Sequence, residues 1–346
     1  MMLYLDIPFC AKKCRYCAFY SVTDASFQTA YIDRLCDMLA QTEGTFESIY
    51  IGGGTPSVLD RLLFQKLLDA LAGRTAGEFT VEVNPDSTDA ALLQQLAAGG
   101  VNRLSVGVQS LWDDELRAAG RLHTAAQALR ALTLARQAGF ENISADLIYG
   151  LPGQTPERFL HSLKQLTDAE IPHLSCYNLT LEAGTPFCEH PPQLPDEAAQ
   201  LEMYRLLCAH LRAAGYEHYE ISNFALPGRR AEHNSGYWSG REYLGLGSGA
   251  HSLIGGKRCA FSEDIVHFIN KRGMEFDEEI VLDAADRREE RIMLGLRTDS
   301  GAELGLLDEK KARRYQAMGL ADIRDGRLIL NERGFLVSNT VIADLL

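Results

Sequence analysis

The chain has 346 residues, 46% of them hydrophobic and 23% charged, with a formal net charge of -13. This is the make-up of an ordinary globular protein, long enough for one large core and a smaller unit. The acidity disfavours nucleic acid as a partner, because affinity for phosphate comes from clustered Lys and Arg, and no run of about twenty apolar residues offers a bilayer span.

The first residues, Met1 to Asp6, lack the basic and apolar regions of a secretory signal. The expectation is a cytoplasmic protein whose eight cysteines stay reduced instead of forming a disulfide framework. Residues 3–7 read as a first strand. Behind it stand Cys10, Cys14 and Cys17, a loop whose three thiols can close on one metal centre. Lys12, Lys13 and Arg15 between them make the loop electropositive, which suits thiolates better than core packing. A structural zinc usually takes four protein ligands. An iron-sulfur cube held by three cysteines leaves one iron open to a small molecule.

Apolar residues at helical spacing predict a helix over 27–42, where Cys36 is packing. A strand over 46–51 comes next, ending in Gly52-Gly53-Gly54-Thr55-Pro56-Ser57, then a helix over 62–71. The alternation continues with strands at 79–83, 103–108, 142–149 and 173–179 and helices at 88–98, 113–119, 124–137 and 156–167. Six strands each followed by helix predict right-handed βαβ units and a parallel sheet. Cys10 to Cys17, Gly52 to Thr55, Glu82, Gln109, Asp146 and Tyr177 fall at or near the carboxyl ends of successive strands. A barrel gathers those ends on one rim where a flat sheet would spread them, so a partial (βα)6 barrel is the expected fold.

Further on, a helix is expected over 194–214 and a strand over 217–224, with Tyr219 and Ile221 on one face. The glycine-rich stretch 227–249 is expected to be a functional loop. Helices at 286–296, 310–318 and 333–345 and a hairpin about Asp325-Gly326 suggest a small winged-helix-like α+β unit. Its Lys and Arg are balanced by Asp and Glu, so it reads as a packing or partner surface and not a DNA reader. The domains expected are 1–215, 216–275 with the glycine-rich loop, and 276–346.

Gly52 to Ser57 lacks the Gly-Lys-Ser/Thr ending of a phosphate loop, and its glycines are expected to let a ligand lie against the backbone. Gly245 to Ala250 matches a dinucleotide fingerprint superficially, but no strand is expected to lead into it. Glu82, Gln109, Arg121 and Asp146 together supply what an amino-acid-bearing nucleoside needs: carboxylates for hydroxyls and an ammonium, a guanidinium for a carboxylate, an amide for either. In the loop, His233-Asn234-Ser235-Gly236-Tyr237-Trp238 sets an imidazole beside aromatics, a combination that could ligate haem iron and cover a porphyrin. His123 and His251 are weaker candidates.

Cys-x3-Cys-x2-Cys followed by Gly-Gly-Gly-Thr-Pro-Ser resembles the radical S-adenosylmethionine superfamily. Along nearly the whole chain the resemblance is to the branch of oxygen-independent coproporphyrinogen III dehydrogenases and their haem-chaperone relatives. It implies that Cys10, Cys14 and Cys17 hold a 4Fe-4S cluster. It also implies that Tyr4, Tyr16, Gly53, Gly54, Thr55, Glu82, Gln109, Arg121 and Asp146 hold S-adenosylmethionine. The family chemistry is reduction of the sulfonium by the cluster to give a hydrogen-abstracting radical. The dehydrogenase has a further cysteine where this chain has Phe19, and a longer N-terminal arm. His-Asn-x-x-Tyr-Trp is typical of the chaperones, which makes His233 the implied haem ligand with Tyr237 and Trp238 beside it. The expected partners are therefore haem and haem-acceptor proteins, with any membrane contact made through an acceptor and room for a homodimer. The enzyme alternatives are oxidation of coproporphyrinogen III or another radical reaction on a tetrapyrrole. A cluster serving only as a structural plug is the third reading.

Overall fold

In the computed structural model, residues 1–75 and 77–346 are described. Strands β1 (Met2–Ile7), β2 (Ile49–Gly53), β3 (Phe79–Val83), β4 (Arg103–Gln109), β5 (Asn142–Tyr149) and β6 (His173–Asn178) pair in parallel in that order. Between them run α1 (Gln28–Ala40), α2 (Arg61–Leu71), α3 (Ala90–Ala98), α4 (Asp113–Ala119), α5 (Ala125–Gln137) and α6 (Pro156–Asp168). The caps are local: Asp60, Asp89, Thr124 and Thr155 each accept from backbone N–H groups of the first turn. Leu3, Leu5, Ile51, Val81, Leu104, Ile143 and Leu174 face the helices and are fully buried.

The opposite face of the same strands is polar. Tyr4 and Asp6, Tyr50, Thr80 and Glu82, Arg103 and Ser105, Ser144 and Asp146, and His173 and Ser175 alternate with the apolar set. Tyr4 and Tyr50 are register partners, as are Thr80 and Arg103, Glu82 and Ser105, Ser105 and Ser144, and Asp146 and Ser175. Polar groups so deeply buried survive only if they satisfy one another, and the curved sheet turns this face into a polar lumen.

After α7 (Pro186–Glu189) and α8 (Glu197–Ala213), the strand expected over 217–224 is instead two short antiparallel strands, β7 (Glu217–His218) and β8 (Asn223–Ala225). The chain bends between them. Asp299 N–H donates to Tyr219 O and Ile221 N–H to Arg297 O, so this stretch pairs with the distant 297–299 segment. The stretch expected as a loop over 227–249 holds α9 (Glu232–Trp238) and β9 (Tyr243–Leu246). Strand β9 pairs in parallel with β1, a long-range contact that local patterning does not reveal. A strand therefore does run into Gly245 to Ala250. The next element is β10 (His251–Ile254) of an antiparallel hairpin and not a helix, so the fingerprint geometry is absent there. Beyond lie β11 (Lys257–Ala260), α10 (Ile265–Asn270) and β12 (Glu278–Val281), giving twelve strands in one open sheet whose edges are β12 and β7.

The rest of the chain has its own core around Ile292, Leu296, Leu328, Leu330 and Ile342. It comprises α11 (Ala284–Gly295), β13 (Ala302–Glu303), α12 (Glu309–Ala317), β14 (Ala321–Arg324), β15 (Arg327–Leu330), α13 (Glu332–Leu336) and α14 (Ser338–Leu345). The hairpin turns on Asp325 and Gly326, both at positive φ. The single helix expected over 333–345 is broken at Val337. No helix among the described residues is long and apolar enough to cross a membrane.

Candidate functional site

The cysteine loop leaves β1 and is pinned at several points. Cys10 N–H donates to Val22 O at 3.0 Å, Arg15 N–H to Ala119 O at 3.1 Å, and Phe187 N–H to Arg15 O at 3.0 Å. Cys10, Cys14 and Cys17 are all half-buried and near enough for the other two to oppose ionisation of Cys17. Among the described residues, the trios of ligand atoms lying within 4.8 Å of one another do not include these sulfurs. At least one pair of these sulfurs is therefore more than 4.8 Å apart, wider than the ligands of a single tetrahedral zinc.

A hydrogen-bond chain joins the first two thiols. Cys10 Sγ lies 3.5 Å from Thr55 Oγ1, which accepts from Asn84 Nδ2 at 3.0 Å. Asn84 Oδ1 accepts from Arg121 Nη2 at 2.6 Å, and Arg121 Nη1 reaches Cys14 Sγ at 3.5 Å. Arg121 also donates to Gly107 O, where a Cβ would stand 2.7 Å from Asn84 Oδ1. Burial raises the phenol of Tyr16, which lies beside Arg121 and Cys14. Arg121 Nε is buried with no partner, as is Asp6 Oδ1. An unanswered donor next to a thiol, and an unanswered acceptor at the end of β1, are groups that a zwitterionic ligand could answer.

Below the loop sit three carboxylates. Burial pushes Glu82 up to about 7 although Tyr50 donates to it at 2.7 Å. Burial pushes Asp6 up to about 8 against a hydrogen bond from Tyr4 at 3.1 Å. Asp146 is raised for the same reason, against hydrogen bonds from Ser105 at 3.1 and 3.2 Å. Such groups pay for burial in proton affinity and would be relieved by an incoming cation.

Glycine is forced at the second loop. Gly53 has φ +105°, and a Cβ on it would lie 2.6 Å from Asp6 Oδ1; one on Gly54 would lie 2.7 Å from Phe9 O. Asp6 and the Pro8–Phe9 backbone thus lie where side chains on Gly53 and Gly54 would stand. Gln109, at φ +63°, sits in a γ-turn closed by Ser110 N–H on Val108 O at 2.8 Å, beside a register shift between β4 and β5. A non-glycine residue in that region is strained, and such strain collects where a side chain must be aimed.

His233 lies at the other end of the lumen. It is fully buried in the first turn of α9, whereas the sequence suggests an open loop. Its Nδ1 is 2.8 Å from Ser48 Oγ and its Nε2 2.9 Å from Tyr237 Oη. Burial pushes it down to about 3, so the ring is neutral, but both nitrogens are taken. Glu78 accepts from the backbone N–H groups of Glu232 and His233 and pairs with buried Arg103 at 3.7 Å. Ser48 and Glu78 precede β2 and β3, whereas Thr55 and Asn84 come after them. At about 3.3 Å per residue, some six residues put roughly 20 Å between His233 and the cysteine loop. Of the three expected haem residues, Trp238 lines a cavity of about 540 Å³ shared with α11. As it stands, His233 does not fit a haem iron.

Asp6, Tyr50, Asn84 and Ser105 belong to the site but do not stand out in the sequence. A signal for three of them exists: a period-two polar series in strands that a parallel sheet otherwise makes uniformly apolar.

Known proteins bear on the site as follows. A family model described as the Radical SAM superfamily matches residues 4–166. The heme chaperone HemW of Bacillus subtilis (strain 168) is 34% identical over 372 aligned positions, covering 99% of this chain and 98% of its own. That of Lactococcus lactis subsp. lactis (strain IL1403) is 35% identical, covering 99% and 96%, and that of Escherichia coli (strain K12) is 38% identical, covering 73% and 70%. Among solved structures, coproporphyrinogen III oxidase (HemN) from Escherichia coli, a radical SAM enzyme, superposes with a TM-score of 0.86 at 23% identity. That match covers 99% of this chain and 88% of the other and is a likeness of fold.

Proposed function

Because this chain belongs to the radical S-adenosylmethionine superfamily and, within it, to the HemW family, we propose that it is a haem chaperone. In this reading it binds a 4Fe-4S cluster, S-adenosylmethionine and haem, and delivers the haem to haem proteins in the cytoplasm. One observation supports it most: Arg121, whose Nε is buried and unanswered, reaches the thiol of Cys14 and is tied through Asn84 and Thr55 to that of Cys10.

Cys10, Cys14 and Cys17 are the cluster ligands in this reading. A bound cluster supplies an electron for reduction of a sulfonium. Arg121 counters thiolate charge at Cys14 while Asn84 and Gly107 hold its guanidinium in place. Tyr4 and Tyr50 orient Asp6 and Glu82, whose raised proton affinity makes them receptive to an ammonium. Tyr16, Gly53, Gly54, Thr55, Gln109 and Asp146 complete the seat. The deep lumen excludes water from that seat.

Haem comes to this chain from the family and from the motif His233, Tyr237, Trp238. Ligation by His233 requires Tyr237 to leave Nε2 and α9 to move off the amino end of the barrel. The test is anaerobic reconstitution with iron and sulfide, then haem titration of wild type and His233→Ala. Loss of the haem spectrum in the variant alone supports the reading; conversion of coproporphyrinogen III by the wild type overturns it in favour of the enzyme.

A further inference from the structure

Barrel and C-terminal unit meet where α8, β7 and α13 come together. Cys208 of α8, His218 of β7 and Glu332 of α13 bring a thiol sulfur, an imidazole nitrogen and a carboxylate oxygen within 4.8 Å of one another. They are the one such trio among the described residues. The imidazole stacks on Phe224, with 4.0 Å between centroids and 19° between planes, and meets Phe335 edge-on at 5.0 Å.

Packing does not answer its polar atoms. Both ring nitrogens of His218 are buried without a hydrogen-bond partner, although the backbone of Glu220 and Ile221 lies beside the ring. A buried donor or acceptor left so is destabilising, and a ligand that answers it removes that cost. The carboxylate, in contrast, accepts from Arg212 at Oε1, and the Tyr204 hydroxyl donates to the backbone carbonyl of Glu332 at 3.0 Å.

We propose that Cys208, His218 and Glu332 form a binding site for a zinc-type divalent ion that staples the C-terminal unit to the barrel. Thiolate, imidazole and carboxylate are the ligand types such an ion takes. Tetrahedral zinc sets its ligand atoms roughly 3.3–3.8 Å apart, so a trio already within 4.8 Å has at most about 1.5 Å to close. The fourth position opens on a cavity of about 460 Å³ lined by His218, Glu332, Arg212 and Phe335, from which water completes the shell. Binding breaks the Cys208 S–H bond and forms a sulfur–metal bond; the proton leaves to solvent and the metal keeps its oxidation state. Exchanging one proton for a dication adds one positive charge, so Arg212, which stays on the same carboxylate, opposes binding in part. The site lies outside the cysteine loop and stands whether or not the chaperone reading does.

The probe is Co2+ added to the full chain in which Cys10, Cys14 and Cys17 are serine, so that those thiols do not compete. One equivalent binding with a thiolate-to-cobalt charge-transfer band is expected. Cys208→Ser should abolish the band, and His218→Ala should weaken affinity roughly tenfold or more. No cobalt bound, or a band that persists in Cys208→Ser, overturns the proposal. If the triple variant does not fold, cluster-loaded wild type is incubated with Zn2+, desalted and assayed by elemental mass spectrometry beside Cys208→Ser/His218→Ala. One zinc per chain in the wild type and none in the variant supports the site; equal zinc in both rejects it.

Discussion

Asp6 and Glu82 illustrate how single residues carry the chemistry of this molecule. Each is a carboxyl whose proton affinity rises because burial removes water from the charged form, more than its tyrosine partner restores. The folded chain thus holds protons that the unfolded chain has lost, and stability of the protein without cofactors should fall as pH rises from about 4 to about 8. Below that window both states are protonated and the effect vanishes. Thermal melting at pH 5 and pH 8 measures it. Asp6→Asn and Glu82→Gln should each flatten the slope, by an amount on the order of 1–3 kcal/mol. A melting temperature that climbs over the same window contradicts this account. Gly53→Ala makes a separate prediction. Its φ of +105° and the Asp6 carboxylate at 2.6 Å leave no room for a methyl. A loss of about 2 kcal/mol is expected, read from the urea midpoint.

Helix α9 depends on a partner far away in sequence. Seven residues are too few to hold a helix in water alone, and this one starts on the Glu78 carboxylate, which also faces buried Arg103. Glu78→Gln should cost about 3 kcal/mol because it leaves a guanidinium buried without its counter-charge. The same change should loosen α9, and with it the seal over His233. Hydrogen exchange of the α9 amides tests the second half: protection unchanged from wild type would mean that the helix is held by its apolar contacts instead. Gly236 makes the same dependence steric, since a Cβ there would overlap Met2 of β1.

Across the whole molecule the two candidate cofactor ends sit at opposite ends of the barrel, with Tyr50 between them, packed on His233 at 5.2 Å between ring centroids and donating to Glu82. Cys14→Ser should abolish bound iron and sulfide yet leave haem titration unchanged. His233→Ala should do the reverse. Parallel loss of both in either soluble, folded variant would show that the ends are coupled. The C-terminal unit docks through Arg212, Tyr204 and the His218–Phe335 contact, so its orientation is set by the barrel's last helix and β7.

The thiol trio is legible in the sequence because three ligands in one short loop must converge whatever the rest of the chain does. The order of strands and helices is legible too, since periodicity and caps are local properties. Neither the bend at Tyr219 to Ser222, nor the pairing of β9 with β1, nor the burial of His233 can be read this way. Each is decided by a partner distant along the chain: the 297–299 segment, Leu3 to Leu5, and Ser48 with Glu78. The sequence by itself determined which chemical groups are present and which lie close along the backbone. Only the tertiary structure decided which of them share a lumen, which are sealed, and which end of the barrel each occupies, because burial and register depend on contacts that form when the sheet curves around its polar face.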